Sequence, residues 1–138
     1  MKKNNNINRI IDANINRAKE GLRVAEEVTR FILNNRVFTK ELKKIRHDLD
    51  TLAADFGGSL KELLKQRDSR EDVGKDIYEG EFKRRNLRDI FFANMQRVKE
   101  SIRVLEEFSK LKDTTLAVKF KKIRYHIYVI ESTIGKRL

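Results

Sequence analysis

The sequence contains no cysteine and no proline. Without thiols it can form neither a disulfide nor a thiolate metal site, and without proline nothing imposes a kink or a stop inside a helix. Glycine is scarce too, 6 in 138 residues, so breaks between elements fall to short clusters of turn residues. No apolar run reaches the ~18 residues of a membrane-spanning helix. The N-terminal "MKKNNNINR" lacks the apolar stretch of a secretion signal, so a cytoplasmic location is expected. The length suits a single domain over residues 1–138 with one core.

Charge, by contrast, is plentiful. Lys and Arg number 32 against 21 Asp and Glu, a formal net charge of +11. That excess favours an anionic partner such as nucleic acid, lipid headgroups or small phosphorylated molecules.

Apolar residues recur at helical spacing throughout, and the chain reads as all-α. The first helix is expected from about Ile7 to Leu33, ended by Asn34 and Asn35. A second is expected after Thr39 as N-cap, stopping at Gly57-Gly58. Ser59 to Glu62 resembles a capping box for a short helix. Asp68 to Gly80, "DSREDVGKDIYEG", has no sustained period and reads as a loop long enough to carry function. Two more helices are expected over Phe82–Leu111 and from Asp113–Thr115 to Gly135.

The chain repeats itself. Residues 9–28 and 89–108 share ten identities, among them Asn14/Asn94, Arg17/Arg97, Glu20/Glu100, Arg23/Arg103 and Glu26/Glu106. "KKIR" then recurs at Lys43–Arg46 and Lys121–Arg124. The duplicated unit is therefore a helical hairpin, about 7–56 and 82–135, joined by a short helix and loop over 57–81. Two pseudo-symmetric hairpins can pack into a helical bundle.

On a helical wheel the repeated polar residues divide into two sets. Asn16, Glu20, Arg23, Glu27 and Arg30 form a charged stripe of the kind that makes ion pairs on a solvated face. Asn14, Arg17 and Gly21 instead fall within an apolar arc of Ile10, Val24, Val28 and Phe31, matched by Asn94, Arg97 and Ser101 in the second copy. A guanidinium buried there needs an internal carboxylate or an outside anion. Gly21 and Ser101 remove bulk one turn beyond each Arg, which leaves room for a ligand, so two amide-bearing cationic surfaces are expected to face one cleft.

The inter-hairpin loop adds Arg67, Arg70, Asp72, Gly74, Lys75 and Asp76. In "DVGKD" the Gly lets backbone N–H groups approach a phosphate, the Lys neutralises it and the carboxylates suit Mg²⁺. It is not a Walker A loop. His47 aligns with Tyr125 and reads as a core or boundary residue, and His126 has no histidine counterpart, so no two-histidine metal site is expected.

"DANINRAKEGLRVAEEVTRF", "KKIRHDL", "RDSREDVG" and "ANMQRVKESIRVLEEFSK", in this order, resemble the small all-helical hydroxymethylpyrimidine-phosphate kinase family of thiamine biosynthesis. The likeness covers residues 8–126. Members stand alone or are fused ahead of thiamine-phosphate synthase, and a chain ending at Leu138 is expected to lack that synthase barrel. The resemblance implies transfer of the γ-phosphoryl of ATP, with Mg²⁺, to 4-amino-5-hydroxymethyl-2-methylpyrimidine phosphate.

The roles expected on that basis are phosphate clamping by Arg17 and Arg97, and orientation of those side chains or reading of the pyrimidine by Asn14 and Asn94, with Gly21 also at the substrate. Arg67, Arg70, Gly74 and Lys75 are assigned to the ATP phosphates, Asp72 and Asp48 to the metal. A homodimer is compatible with the pattern. Other classes that suit a basic helical chain are a nucleic-acid binder, an enzyme acting on a small carboxylated anion, and a structural repeat protein. No helix-turn-helix or RNA-reading motif supports the first of these.

Overall fold

The computed structural model describes residues 2–56, 67–76 and 83–138. The expected cap at Gly57-Gly58, the short helix after Ser59 and the start of a helix at Phe82 lie outside the described residues. Four α-helices make up the described chain: α1 (Lys2–Glu27), α2 (Arg36–Ala54), α3 (Leu87–Ser109) and α4 (Thr114–Gly135). A π-helical turn, Val28–Ile32, extends α1 before the link to α2. The described residues contain no strand, as the all-α reading requires.

α2 starts earlier than expected. Asn35 is the N-cap, its side chain accepting from the Phe38 N–H at 2.9 Å. The Thr39 hydroxyl is taken up inside the first turn, donating to the Asn35 carbonyl at 2.7 Å and lying 2.8 Å from the Thr29 hydroxyl. Asn34 immediately before has φ of 50°, the left-handed conformation that Asn tolerates better than most residues, and it reverses the chain. α3 is capped by Asn86 and α4 by Asp113 in the same side-chain manner.

Ile11, Ile15 and Leu22 of α1 and Met95, Ile102 and Leu105 of α3 are at most 5% exposed and form the middle of the core. Leu42, Ile45 and Leu49 of α2 pack onto it from one side, and Phe120, Ile127 and Ile134 of α4 from the other. α1 and α3 cross tightly at Gly21. A Cβ built there would stand 2.6 Å from Val98 Cγ2 and 2.9 Å from the Asn94 carbonyl oxygen.

The duplication is carried into the joints between helices. Arg46 of "KKIR" reaches across its hairpin to Glu26, with Nε to Oε2 at 2.7 Å and Nη2 to Oε1 at 3.2 Å. In the second copy Arg124 Nε meets Glu106 Oε2 at 3.0 Å. Glu26 and Glu106 are both buried. Hydrogen bonding to these carboxylates raises the pKa of Arg46 and of Arg124 above the ordinary guanidinium value, against a smaller opposing effect of burial. Lys19 pairs with Asp50 and Lys99 with Glu131, each at 2.7 Å.

Candidate functional site

The repeated residues form one cleft. Asn14, Arg17, Glu20, Gly21 and Val24 of α1 face Asn94, Arg97, Glu100, Ser101 and Val104 of α3 across a hollow of ≈650 Å³, with Gly74 of the loop at its rim. Every α1 residue in this wall has its repeat counterpart, eighty positions later, in the other wall.

Both asparagines are fixed by the same bond. Asn14 Nδ2 donates to the Ile10 carbonyl and Asn94 Nδ2 to the Ile90 carbonyl, each at 2.8 Å. With one amide hydrogen used in this way, each side chain keeps its Oδ1 acceptor and its second hydrogen for a ligand.

Arg17 and Arg97 differ from the expectation in burial. Both are exposed, and among the described residues neither forms an ion pair. The arc that was to bury them is not one buried seam: Val28 is buried, but Ile10 and Val24 are half-buried and line the hollows, and Phe31 is 59% exposed. The guanidiniums therefore stand in the cleft with neither a carboxylate partner nor an apolar seal. Gly21 lines the cleft too, but the space its missing side chain leaves is filled by Val98 and the backbone of Asn94. Its small size serves the helix crossing, which corrects the expectation that it leaves room for a ligand.

Glu20 and Glu100 were assigned by spacing to the ion-pair stripe, yet both line the cleft. Glu100 Oε1 accepts from Gln96 Nε2 at 3.1 Å, and neither glutamate pairs with a cation among the described residues. Arg23 and Arg103 turn instead to Glu26 and Glu27, and to Glu106 and Glu107. The cleft thus holds two arginines and two glutamates in symmetric positions, rather than the excess of positive charge that composition suggested. Their place in the repeat was the signal for these glutamates, and the alternating charge around them disguised it.

A second hollow of ≈750 Å³ adjoins the first and shares Asn14, Arg17 and Glu20 with it. It lies between α1 and the loop, lined also by Arg9, Asp12, Asn16, Arg67, Asp68 and Asp72. Arg67 closes a bidentate pair on the buried Asp12, Nε to Oδ2 and Nη2 to Oδ1 both at 2.8 Å. That hydrogen bonding raises the Arg67 pKa above the ordinary guanidinium value, with desolvation acting in the opposite direction. Here the two-fold symmetry breaks, because Asp12 corresponds to Phe92 in the second copy.

The remaining loop residues spread apart. The Gly74 N–H donates to Asp72 Oδ1 at 2.8 Å, and Lys75 Nζ donates to the Arg70 carbonyl. Arg70 is exposed and lines neither hollow. Arg67 is held by Asp12, which corrects its assignment to phosphate, and Arg9, which sequence reasoning passed over, stands in the second hollow. Asp48 lies on α2 and lines neither hollow, so it is not brought to Asp72. No group of three or more His, Asp or Glu capable of holding a metal occurs among the described residues. A Mg²⁺ ion arriving on nucleotide phosphates would need only one or two protein carboxylates, and Glu20 and Asp72 both line the second hollow.

Among the described residues no helix is long and apolar enough to cross a membrane. The chain is 41% identical over 134 residues to a thiamine-phosphate synthase of Synechocystis sp., covering 96% of this chain and 37% of that protein. It is 39% identical over 127 residues to one of Nostoc punctiforme, covering 91% and 34%, and 40% identical over 121 residues to one of Rhodopirellula baltica, covering 87% and 32%. The chain therefore spans about a third of the length of these curated relatives. No solved structure matches it. Residues 9–133, which take in most of both hairpins and the segment between them, match the ThiD2 family, and the chain belongs to that family.

Proposed function

We propose that the chain acts in thiamine biosynthesis as a kinase, moving the γ-phosphoryl of ATP onto 4-amino-5-hydroxymethyl-2-methylpyrimidine phosphate to give the diphosphate. One observation carries the reading: two repeat-related arginines without carboxylate partners share a cleft with two asparagines of fixed orientation. Membership of the ThiD2 family and similarity to proteins named thiamine-phosphate synthase support the pathway.

The acceptor's phosphate has a second pKa of about 6, so at neutral pH its oxygen is largely ionised and needs no base. That oxygen attacks the γ-phosphorus, the bond from γ-phosphorus to the β,γ-bridging oxygen breaks, and ADP leaves with the electron pair. The difficulty is to bring two polyanions into line, which calls for positioning and for charge on the transferring group. Arg17 and Arg97 offset the repulsion, while Asn14 and Asn94 offer Oδ1 to the exocyclic amine of the pyrimidine. Glu20 and Asp72 would be the carboxylates to hold a Mg²⁺ ion, which would supply positive charge against the negative charge of the transferring group. The two joined hollows give acceptor and donor adjacent places, and Arg17, which borders both, serves both.

Because both arginines are exposed, the penalty for leaving one unpaired is partly met by water. Discrimination against the free pyrimidine alcohol therefore falls below the ~10⁴ of a sealed polar site. The test is a coupled assay on the monophosphate with and without Mg²⁺, using Arg17→Ala and Arg97→Ala. A fall in kcat/KM of more than about tenfold at unchanged Tm is expected, the size of a lost charge-assisted contact. Near-normal turnover in both variants would remove the assignment.

A further inference from the structure

The hollow with the largest surplus of positive charge is not the cleft. It lies where the end of α1, the π-helical turn and the start of α2 meet, has a volume of ≈550 Å³, and is lined by Arg23, Arg30, Arg36, Lys40 and Lys43 against Glu26 and Glu27. Glu26 is already held by Arg46, and Glu27 lies 3.8 Å from Arg23. Arg30, Arg36, Lys40 and Lys43 have no carboxylate partner among the described residues.

The repeat supplies an internal control. In the second copy the counterpart of Arg30 is Lys110, and it pairs with Glu107 at 2.8 Å, which holds the Glu107 carboxyl below its usual range. In the first copy the π-helical turn adds a residue to the helical step there, and Arg30 lies over the Phe31 ring, 4.7 Å from its centroid. Aligning the two "KKIR" runs sets Arg36 against Thr114 and Lys40 against Val118. The second copy thus pairs one of these four positions and replaces two with uncharged residues, whereas the first carries four cations unpaired among the described residues around a cavity of ligand size.

We infer that this hollow is a second anion site, separate from the cleft, that binds a small molecule bearing a diphosphate or triphosphate. Cations from two helices converge on a concavity here, where a nucleic-acid surface would present them as an extended stripe, and Glu26 and Glu27 interrupt any such stripe. Arg36 and Lys40 enter from α2 and Arg23 and Arg30 from the α1 side, so anionic oxygens lodged between them are met from both directions, and Arg can bind such oxygens in bidentate fashion. On α1, Arg23 lies roughly 120° or more around the helix from Arg17 and Gly21, at about 100° per residue, so the site opens on another face.

Calorimetric titration with inorganic pyrophosphate at physiological salt tests this on three proteins: the natural chain, Arg36→Ala/Lys40→Ala, and Arg17→Ala/Arg97→Ala. All four altered side chains are exposed, and matching Tm values will confirm folding; Lys43→Gln replaces the hairpin variant, and Arg97→Gln the cleft variant, if either fails this check. The cleft variant should keep the hairpin site at its natural affinity even as the cleft's own hold on pyrophosphate weakens, and the hairpin variant should lose that site, binding there at least about tenfold more weakly. Its phosphoryl-transfer kcat at saturating substrates should be unchanged. An unchanged isotherm in the hairpin variant, loss of all pyrophosphate binding in the cleft variant, or collapse of transfer in the hairpin variant each overturns a separate site. So does a single-stranded oligonucleotide that binds through Arg36 and Lys40 and is not displaced by pyrophosphate.

Discussion

Gly21 lies against the backbone of Asn94 so closely that a methyl group on its Cα would stand 2.9 Å from the Asn94 carbonyl oxygen. The Val98 methyl on the same helix would be nearer still, at 2.6 Å. The repeat makes opposite choices in its two halves, Gly21 with Val98 in one and Ser101 with Ala18 in the other. Bulk on one helix is matched by smallness on its neighbour at the crossing of α1 and α3.

Gly21→Ala should therefore lower stability. Overpacking of this kind costs about 1–3 kcal/mol, and the better helix propensity of Ala returns about 1 kcal/mol, leaving a net loss of up to about 2 kcal/mol. Val98→Ala in the same chain should relieve part of the strain. If Gly21 served only to admit substrate, the variant would instead raise KM and leave the urea midpoint where it was.

The buried Glu26–Arg46 and Glu106–Arg124 pairs hold the two hairpins closed. Removing one partner strands the other, so Glu26→Ala or Glu106→Ala should each cost roughly 3 kcal/mol. Glu26→Leu combined with Arg46→Met should recover most of that loss, because a well-packed apolar pair avoids desolvating two ions. A double variant no more stable than Glu26→Ala alone, measured by chemical denaturation, would count against the staple.

The duplication, the helical class and the facing of Asn14, Arg17 and Gly21 by their repeat counterparts were legible because each depends on which residues recur at a fixed spacing. The register of Arg17 was misread for a definite reason. Ile10, Val24 and Phe31 look like core on a wheel, yet the true core face is Ile11, Ile15, Ala18, Leu22 and Ala25, and an isolated wheel cannot tell a cleft wall from a buried seam. Glu26 and Glu27 are indistinguishable in sequence, but one is sealed under Arg46 and the other exposed. The π-helical turn and the choice of Asn35 over Thr39 as cap are settled by tertiary bonds, notably the contact of Thr39 with Thr29, which no local pattern announces.

Asp89, in the first turn of α3, accepts from the Arg85 backbone N–H and from its Nε, both at 3.1 Å. These bonds hold its carboxyl below the usual aspartate value, the backbone bond contributing most. A carboxyl whose folded pKa is depressed stabilises the fold above its unfolded value of about 3.9, and that contribution disappears as pH falls through the lower folded value. Asp89→Asn should therefore shift the urea midpoint downward at pH 7, and the gap from the natural chain should close as pH falls below about 4. A gap of constant size from neutral to acid pH would contradict the linkage.

The loop after Arg67 is tied to α1 mainly through Asp12. Among the described residues its two bonds to Arg67 are reinforced by Arg9 Nη2 reaching the Asp68 carbonyl at 3.4 Å and by Asn16 Nδ2 bonding Asp12 Oδ1 at 3.3 Å. Asp12→Asn keeps the shape of the side chain but removes the charge, and an amide can accept only one of the two guanidinium bonds. Arg67 is 38% exposed along its side chain, so water meets part of the loss and the cost should be about 1–2 kcal/mol, expressed as loop opening more than as unfolding. Because opening and closing outpace cleavage, trypsin should cut at Arg70 and Lys75 roughly five- to thirtyfold faster. The KM for ATP should rise in the same variant, since Asp72 is carried on that loop and Arg17 faces it across the second hollow. Unchanged proteolysis with unchanged KM would mean that the loop is held by other contacts, and Asp12 would then be a buried charge with no part in the site.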